Sequence, residues 1–278
     1  MEKLLNPIEG EIFSIDKPLG WTSFAVVKKV RARLRDRLKV KNIRVGHAGT
    51  LDPLATGVLT VVTGRKTKEI ERLQAGIKEY VADIRLGETT PSFDMETEVD
   101  ATMEWRHITR ERVERVLCEQ FTGEIEQIPP SFSACKIDGK PAYKLARKGE
   151  EVSIRAKKLV IDEIEVLECG LPTEPTLRIR VVCSKGTYIR ALARDIGEAL
   201  ESGAHLTGLR RTRVGDVGVE DCLSMEQVME TLSEAQYVPP AEAEEMRIEQ
   251  ERIENRRRAA AMKLARETRK SRRSQLKD

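Results

Sequence analysis

The sequence predicts a mixed α/β protein of the α+β type, and three observations carry that prediction. Short stretches place apolar residues at every second position, as strands do, while longer ones place them three and four apart, as helices do. The 278 residues, 40% hydrophobic and 34% charged, are enough to bury a sizeable core. No internal repeat is visible, so one large domain or two smaller ones are expected rather than a solenoid.

Along the chain, the stretch EIFSIDKP reads as a strand ending in a turn. TSFAVVKKVRARLRDRLKV opens on cap-type residues and then sets Val27, Val30, Leu34 and Leu38 on one helical stripe. GVLTVVTG is a short apolar strand. KEYVADIRLGE alternates, with Tyr80, Ala82, Ile84 and Leu86 on one face and Val81, Asp83 and Arg85 on the other. ITRERVERVLCEQF is an amphipathic helix burying Val113, Val116, Leu117 and Phe121, followed by a turn-rich, irregular stretch from Gly123 to Gly149. The strands KKLVIDEIEVLEC and TLRIRVVCSKG come next, the second with Leu177, Ile179, Val181 and Cys183 on one side. TYIRALARDIGEALESG closes the series as a helix burying Ile189, Leu192, Ile196 and Leu200. Beyond about Val238 the composition changes, and residues 239–278 are expected to be a charged, helical or disordered tail.

Charge is unevenly spread. Residues 241–278 hold 12 Lys and Arg against 8 Asp and Glu, whereas the first 240 residues hold 37 against 38. Within that near-neutral body, Lys28 to Arg44 packs nine basic residues around one acid, Asp36. So one-signed a segment points to a polyanion ahead of a merely solvated face, which normally mixes signs. For the tail end, an auxiliary RNA-binding arm and a solubilising tail are equally open readings.

Several chemistries are set aside. No apolar run approaches the roughly 20 residues of a membrane span, and the acidic N-terminal stretch MEKLLNPIEGEIFS has no signal-peptide core, so a cytoplasmic location is expected. The five cysteines are scattered without a C-x-x-C pair and read as reduced, mostly core thiols. The three histidines lie far apart and form no metal-ligand pattern. Phosphate-cradling glycine motifs and a G-x-S-x-G elbow are absent. On residues alone, Asp52 in GHAGTLDPLATG reads as a helix cap with Pro53 in the first helical turn.

The strings DKPLGWTS, GHAGTLDPLATGVL, KEYVADIRLG, GEIEQIPPSFSACKIDGKPAYKLARKG, CSKGTYIRALARDIG and AHLTGLRRTRVG occur in order from about Phe13 to about Gly218. Together they resemble the bacterial tRNA pseudouridine-55 synthases, the TruB family of pseudouridine synthases. The resemblance implies a pseudouridine synthase fold, with a mixed, largely antiparallel sheet flanked by helices, over residues 1–238. It implies a monomer that isomerises a T-loop uridine of tRNA without metal or cofactor. Asp52 is then the catalytic carboxylate, attacking C1′ of the sugar or C6 of the base, or removing a proton from C2′. Tyr80 stacks on the uracil and Arg190 pairs with Asp52, holding it ionised. His47 contacts the T loop when the base is everted, and Leu209 packs against the active site. Lys17 and Pro18 line the active-site region, Lys17 structurally or electrostatically. Tyr188 is presented beside Arg190 on the RNA side, and the stretch of about 123–149 is an RNA-clasping thumb.

Two departures from the family pattern stand out. TPSFD replaces an acid and a threonine with Pro91 and Ser92, leaving Asp94 to carry an RNA contact. The charged tail also stands where many members have an RNA-binding PUA domain. A non-catalytic RNA-binding or remodelling protein on the same fold is the competing reading.

Overall fold

The computed structural model describes residues 4–133, 135–137, 140–141 and 154–243, and a few positions beyond. Its centre is a nine-stranded sheet. The main path runs β1 (Ile12–Lys17), β3 (Ala55–Thr63), β12 (Ala204–Val214), β4 (Lys78–Leu86), β11 (Thr176–Cys183), β10 (Lys157–Cys169) and β7 (Gly123–Gln127). Two short strands, β2 (Val45–His47) and β13 (Val217–Gly218), pair with β3 and β12. The pairs β5 (Glu88–Thr89) with β6 (Ala101–Thr102), and β8 (Lys136–Ile137) with β9 (Lys140–Pro141), stand apart. The sheet is mixed and largely antiparallel, as the resemblance implies: β3 and β12 form the parallel ladder, through Leu209 opposite Ala55 and Arg211 opposite Gly57.

Helices pack in two groups on either side of that parallel seam. Helix α1 (Ser23–Leu38) buries Val26, Val27, Val30, Leu34 and Leu38 beside β1, β2 and β3. Thr22 caps its first turn, and Lys39, with φ 54°, ends it in the left-handed region. Helix α2 (Ile70–Gln74) is short, and helix α5 (Met225–Glu234) lies against α1 under a capping box from Ser224. On the other half, α3 (Arg110–Gln120) and α4 (Ile189–Ala199) close over β4, β10 and β11, covering Ile84, Ile161, Ile179, Leu192 and Ile196. Each such buried side chain stabilises the fold by about 1.5–3 kcal/mol relative to exposure.

Four expectations are corrected. Asp52 and Pro53 start no helix: the amide of Ala55 donates to the Asp52 carbonyl in a turn, and β3 begins at once. β-prone residues follow, and the partner strand β12 recruits them from far along the chain. β3 is therefore longer at its start than the apolar run GVLTVVTG suggests. Part of the stretch read as irregular is strand β7, paired with β10, so the sheet edge extends into it; residues 134, 138, 139 and 142–149 of the expected thumb lie outside the described residues. Of the cysteines only Cys183 is buried, and Cys118 is exposed. In the tail, residues 240–243 are helical and Ala243 is buried.

Gly57 is needed where it stands. Its φ of +101° is left-handed, and a Cβ there would lie 2.1 Å from the Arg211 carbonyl oxygen. Gly57→Ala is expected to cost about 2 kcal/mol or more of stability. Denaturant unfolding checks this, and an unchanged midpoint would show that the two strands do not approach so closely.

Candidate active site

Asp52 lies on the loop between β2 and β3, and nearly every peptide of that loop is tied. The amide of Ala48 donates to the Thr60 carbonyl at 2.8 Å. The Ser23 hydroxyl, at the start of α1, accepts from the Leu51 amide at 2.8 Å and donates to the Leu51 carbonyl at 3.0 Å. The Pro53 carbonyl accepts from the Gly20 amide at 2.9 Å and from Lys17 Nζ at 3.4 Å. Arg211 donates from Nη2 to the Gly49 carbonyl at 3.1 Å, from Nη1 to that of Thr50 at 3.5 Å, and from Nε to that of Val58 at 2.8 Å.

The supports come from one rung of the sheet. Lys17, Gly57, Arg211, Tyr80 and Val181 are register partners across five strands, so their side chains share a face. Gly57 contributes no side chain, which leaves room for the Arg211 guanidinium. Lys17 and Arg211 are 0% and 1% exposed. Lys17 also donates to the carbonyls of Pro18 and Trp21, at 3.0 and 2.6 Å. Burial pushes its ammonium down to about 8, so it stays mainly charged at neutral pH. Lys17 thus ties its neighbouring loops together, the Pro18 carbonyl among its acceptors. Tyr80 is buried beside Arg211, and desolvation raises its phenol, which remains protonated near neutrality. Its ring packs in the core under the cleft instead of lining it.

Above this rung, a cleft open to solvent is lined by Asp52, Leu54, Asp94, Arg190 and Leu209 among others. Arg190, at the start of α4, is buried and gathers separate segments. Its Nε stands 2.9 Å from Asp52 Oδ2 and 3.6 Å from Asp94 Oδ2. Its Nη1 donates to the Ser92 carbonyl at 3.0 Å, and its Nη2 to that of Phe132 at 2.9 Å. Tyr188, just before α4, is held by Gln127, whose side chain accepts from the Tyr188 amide at 2.9 Å and donates to its carbonyl at 3.2 Å.

Desolvation raises the Asp52 carboxyl above the ordinary aspartate range, and the Arg190 guanidinium works against that rise. Asp94 and Glu96 add to the rise as like charges. The Asp52 side chain keeps 40% exposure, toward the cleft. The carboxylate is thus open to a ligand while its backbone and its counter-charge are fixed.

The structure brings Asp52, Arg190 and Leu209 together, with Asp94 beside them. The Asp94 carboxylate is 7% exposed, facing Arg190 and accepting from the Glu96 amide at 2.9 Å. Ser92, which departs from the family pattern, is buried and contributes its carbonyl to Arg190. His47 sits on β2 and does not line the cleft; burial and the nearby Arg211 lower it, so the ring is neutral at pH 7. Its Nδ1 is buried without a hydrogen-bond partner among the described residues. Arg211 is the residue that sequence reasoning missed. The available signal was its strand period, which places it on the side of Leu209, two residues before it. Among the described residues no group of three His, Cys, Asp or Glu side chains is placed to hold a metal ion, and no helix is long and apolar enough to cross a membrane.

The mixed sheet that carries this carboxylate–guanidinium pair is that of a pseudouridine synthase, as the family match shows. The chain belongs to the TruB family: the family's N-terminal domain of pseudouridylate synthases matches residues 35–189, and the tRNA pseudouridylate synthase B C-terminal domain matches residues 190–245. It is 65% identical over 230 residues to a tRNA pseudouridine synthase B of Phocaeicola vulgatus, covering 83% of this chain and 96% of that one. It is 47% identical over 226 residues to the protein of that name from Flavobacterium johnsoniae, covering 81% and 97%. Among solved structures it resembles a chain of a Cbf5-Nop10-Gar1 complex, with a TM-score of 0.59 and 30% identity. That match covers 81% of this chain and spans about half, 55%, of the other.

If ionised Asp52 is the reacting group, the acid limb of kcat/KM lies above the ordinary aspartate value of 3.8. Arg190→Gln removes the charge that opposes protonation and is expected to move that limb further up, with Arg190→Lys moving it less. A pH–rate profile checks this, and an unmoved limb in Arg190→Gln would mean that another group titrates.

Proposed function

We propose that this protein converts the T-loop uridine at position 55 of tRNA to pseudouridine, with Asp52 as the reacting carboxylate. The observation that carries the reading is the Asp52 carboxylate, held 2.9 Å from Arg190 and open to the cleft. The kinship with proteins named tRNA pseudouridine synthase B supplies the substrate class.

The reaction is an isomerisation. The bond from the uracil N1 to C1′ breaks, the base turns, and a bond from C5 to C1′ forms; C5 loses a proton and N1 gains one. Atoms balance without an oxidant, a reductant or a co-substrate. The resemblance leaves three routes for the carboxylate, through C1′, C6 or the C2′ proton, and each needs it ionised and aimed. Arg190 meets the first need by charge, and the tied loop meets the second by position.

The remaining residues take supporting parts. A uridine in a folded loop must be unstacked to reach Asp52, which is the cost of base flipping. Leu209 offers an apolar wall to the everted base, and Tyr80 packs in the core beneath the cleft as a protonated phenol. In this reading His47, neutral and at the end of β2, and Tyr188 make contacts with the T arm. A protein that merely bound RNA would have no use for a carboxylate desolvated against a buried arginine, which costs stability.

Asp52→Asn keeps the shape and removes the charge. It is expected to abolish pseudouridine formation at position 55 while tRNA still binds, as read by mapping the modified base and by equilibrium binding. Pseudouridine formed at the wild-type rate would refute the assignment.

A further inference from the structure

Arginines elsewhere on this surface are largely neutralised within the fold. Arg178 meets Asp83 at 3.0 Å, Arg180 meets Glu79 and Glu163 at 2.8 Å, and Arg210 meets Asp16 at 2.7 Å. The segment from α1 to β2 breaks this habit. Lys28, Arg35, Lys41 and Arg44 are exposed, and none has an acidic partner among the described residues. Asp36, the acid of the segment, is occupied by Lys39 at 3.2 Å.

These cations are placed in relation to the cleft. Phe24, Lys28 and Arg35 lie on one ridge of α1, with Lys28 Nζ 5.1 Å from the centre of the Phe24 ring. The ridge starts beside Ser23, whose hydroxyl holds Leu51, the residue before Asp52. At a rise of about 1.5 Å per residue, Lys28 and Arg35 stand roughly 8 and 18 Å along the helix from that anchor. Arg31, between them, donates to the Val45 carbonyl at 2.8 Å and so locks the ridge against the strand that carries His47. Arg44 directly precedes that strand.

We propose that Lys28, Arg35, Lys41 and Arg44 form a phosphate-binding track for the substrate RNA backbone outside the loop that contains the target uridine. The inference rests on the reading of tRNA as substrate. Four cations left without acidic partners among the described residues, arrayed outward from the loop that bears Asp52, match a ligand with regularly spaced negative charge. Such contacts position the RNA without reading its sequence.

The test is equilibrium binding of tRNA across a series of salt concentrations, with wild-type protein and with the combined variant Lys28→Gln, Arg35→Gln, Lys41→Gln and Arg44→Gln. The variant is expected to bind at least tenfold more weakly at low salt, and its slope of log affinity against log salt is expected to be shallower by about 3. The pair Lys28→Gln with Arg35→Gln alone is expected to give about half that change, and Arg110→Gln, which removes an arginine paired with Glu114, none. An unchanged slope in the combined variant with an unchanged unfolding midpoint overturns the track and leaves those cations to a different partner, such as an acidic protein. Binding is read without turnover, so this failure leaves the role of Asp52 untouched, and a failure of Asp52 chemistry leaves the slope as predicted.

Discussion

The structure depends on two buried cations directly beneath the loop that bears Asp52, neither of which forms a salt bridge among the described residues. Lys17 and Arg211 lie on the same rung of the sheet, and their hydrogen bonds go to backbone carbonyls, among them those of Gly49, Thr50 and Pro53. A buried charge without partners costs several kcal/mol, so the loop cannot leave this position without exposing that cost. The loop is thus held from below by charge and from the side by Ser23, and Asp52 inherits a fixed place. Gly57 completes the arrangement by letting β3 come close enough to β12 for Arg211 to reach the loop.

Arg190 is the counterpart above the rung. One guanidinium joins the loop that bears Asp52, the segment around Ser92 and Asp94, and the chain at Phe132. The junction carries two carboxylates against one cation, and the cleft is desolvated. Both facts push Asp52 toward protonation, and the short Arg190 contact is what opposes them. A fork with fixed geometry suits this better than a lysine, whose point charge would not also hold two carbonyls.

Much of the fold was legible because it is written in local periods. The stripe of α1, the alternation of β4 and the bounds of β10 follow from spacing alone. What was not legible depends on pairing between distant segments. Asp52 followed by Pro53 is a fair helix start by local rules, and the long-range partner β12 makes it a turn into a strand. Arg211 sits in a run, LRRTR, that reads as surface charge. Arg210 does face outward to Asp16, but Arg211 turns inward, and a register shift between Arg211 and Arg213 interrupts the alternation that would have exposed the pattern. Nothing local in the sequence shows that Arg190 gathers in Asp94. The candidate site residues were legible only through family resemblance; the physics of their support came from the tertiary structure.

The central claim is that the loop bearing Asp52 is rigid before RNA arrives, held by the rung beneath it. Hydrogen exchange on the free protein tests it at the amides of Ala48, Leu51 and Ala55, which donate to Thr60, Ser23 and Asp52. The account predicts protection close to that of the central β3 amides, with exchange requiring global or near-global opening. Exchange at those three amides near the rate of an unstructured chain, while β3 remains protected, would contradict it.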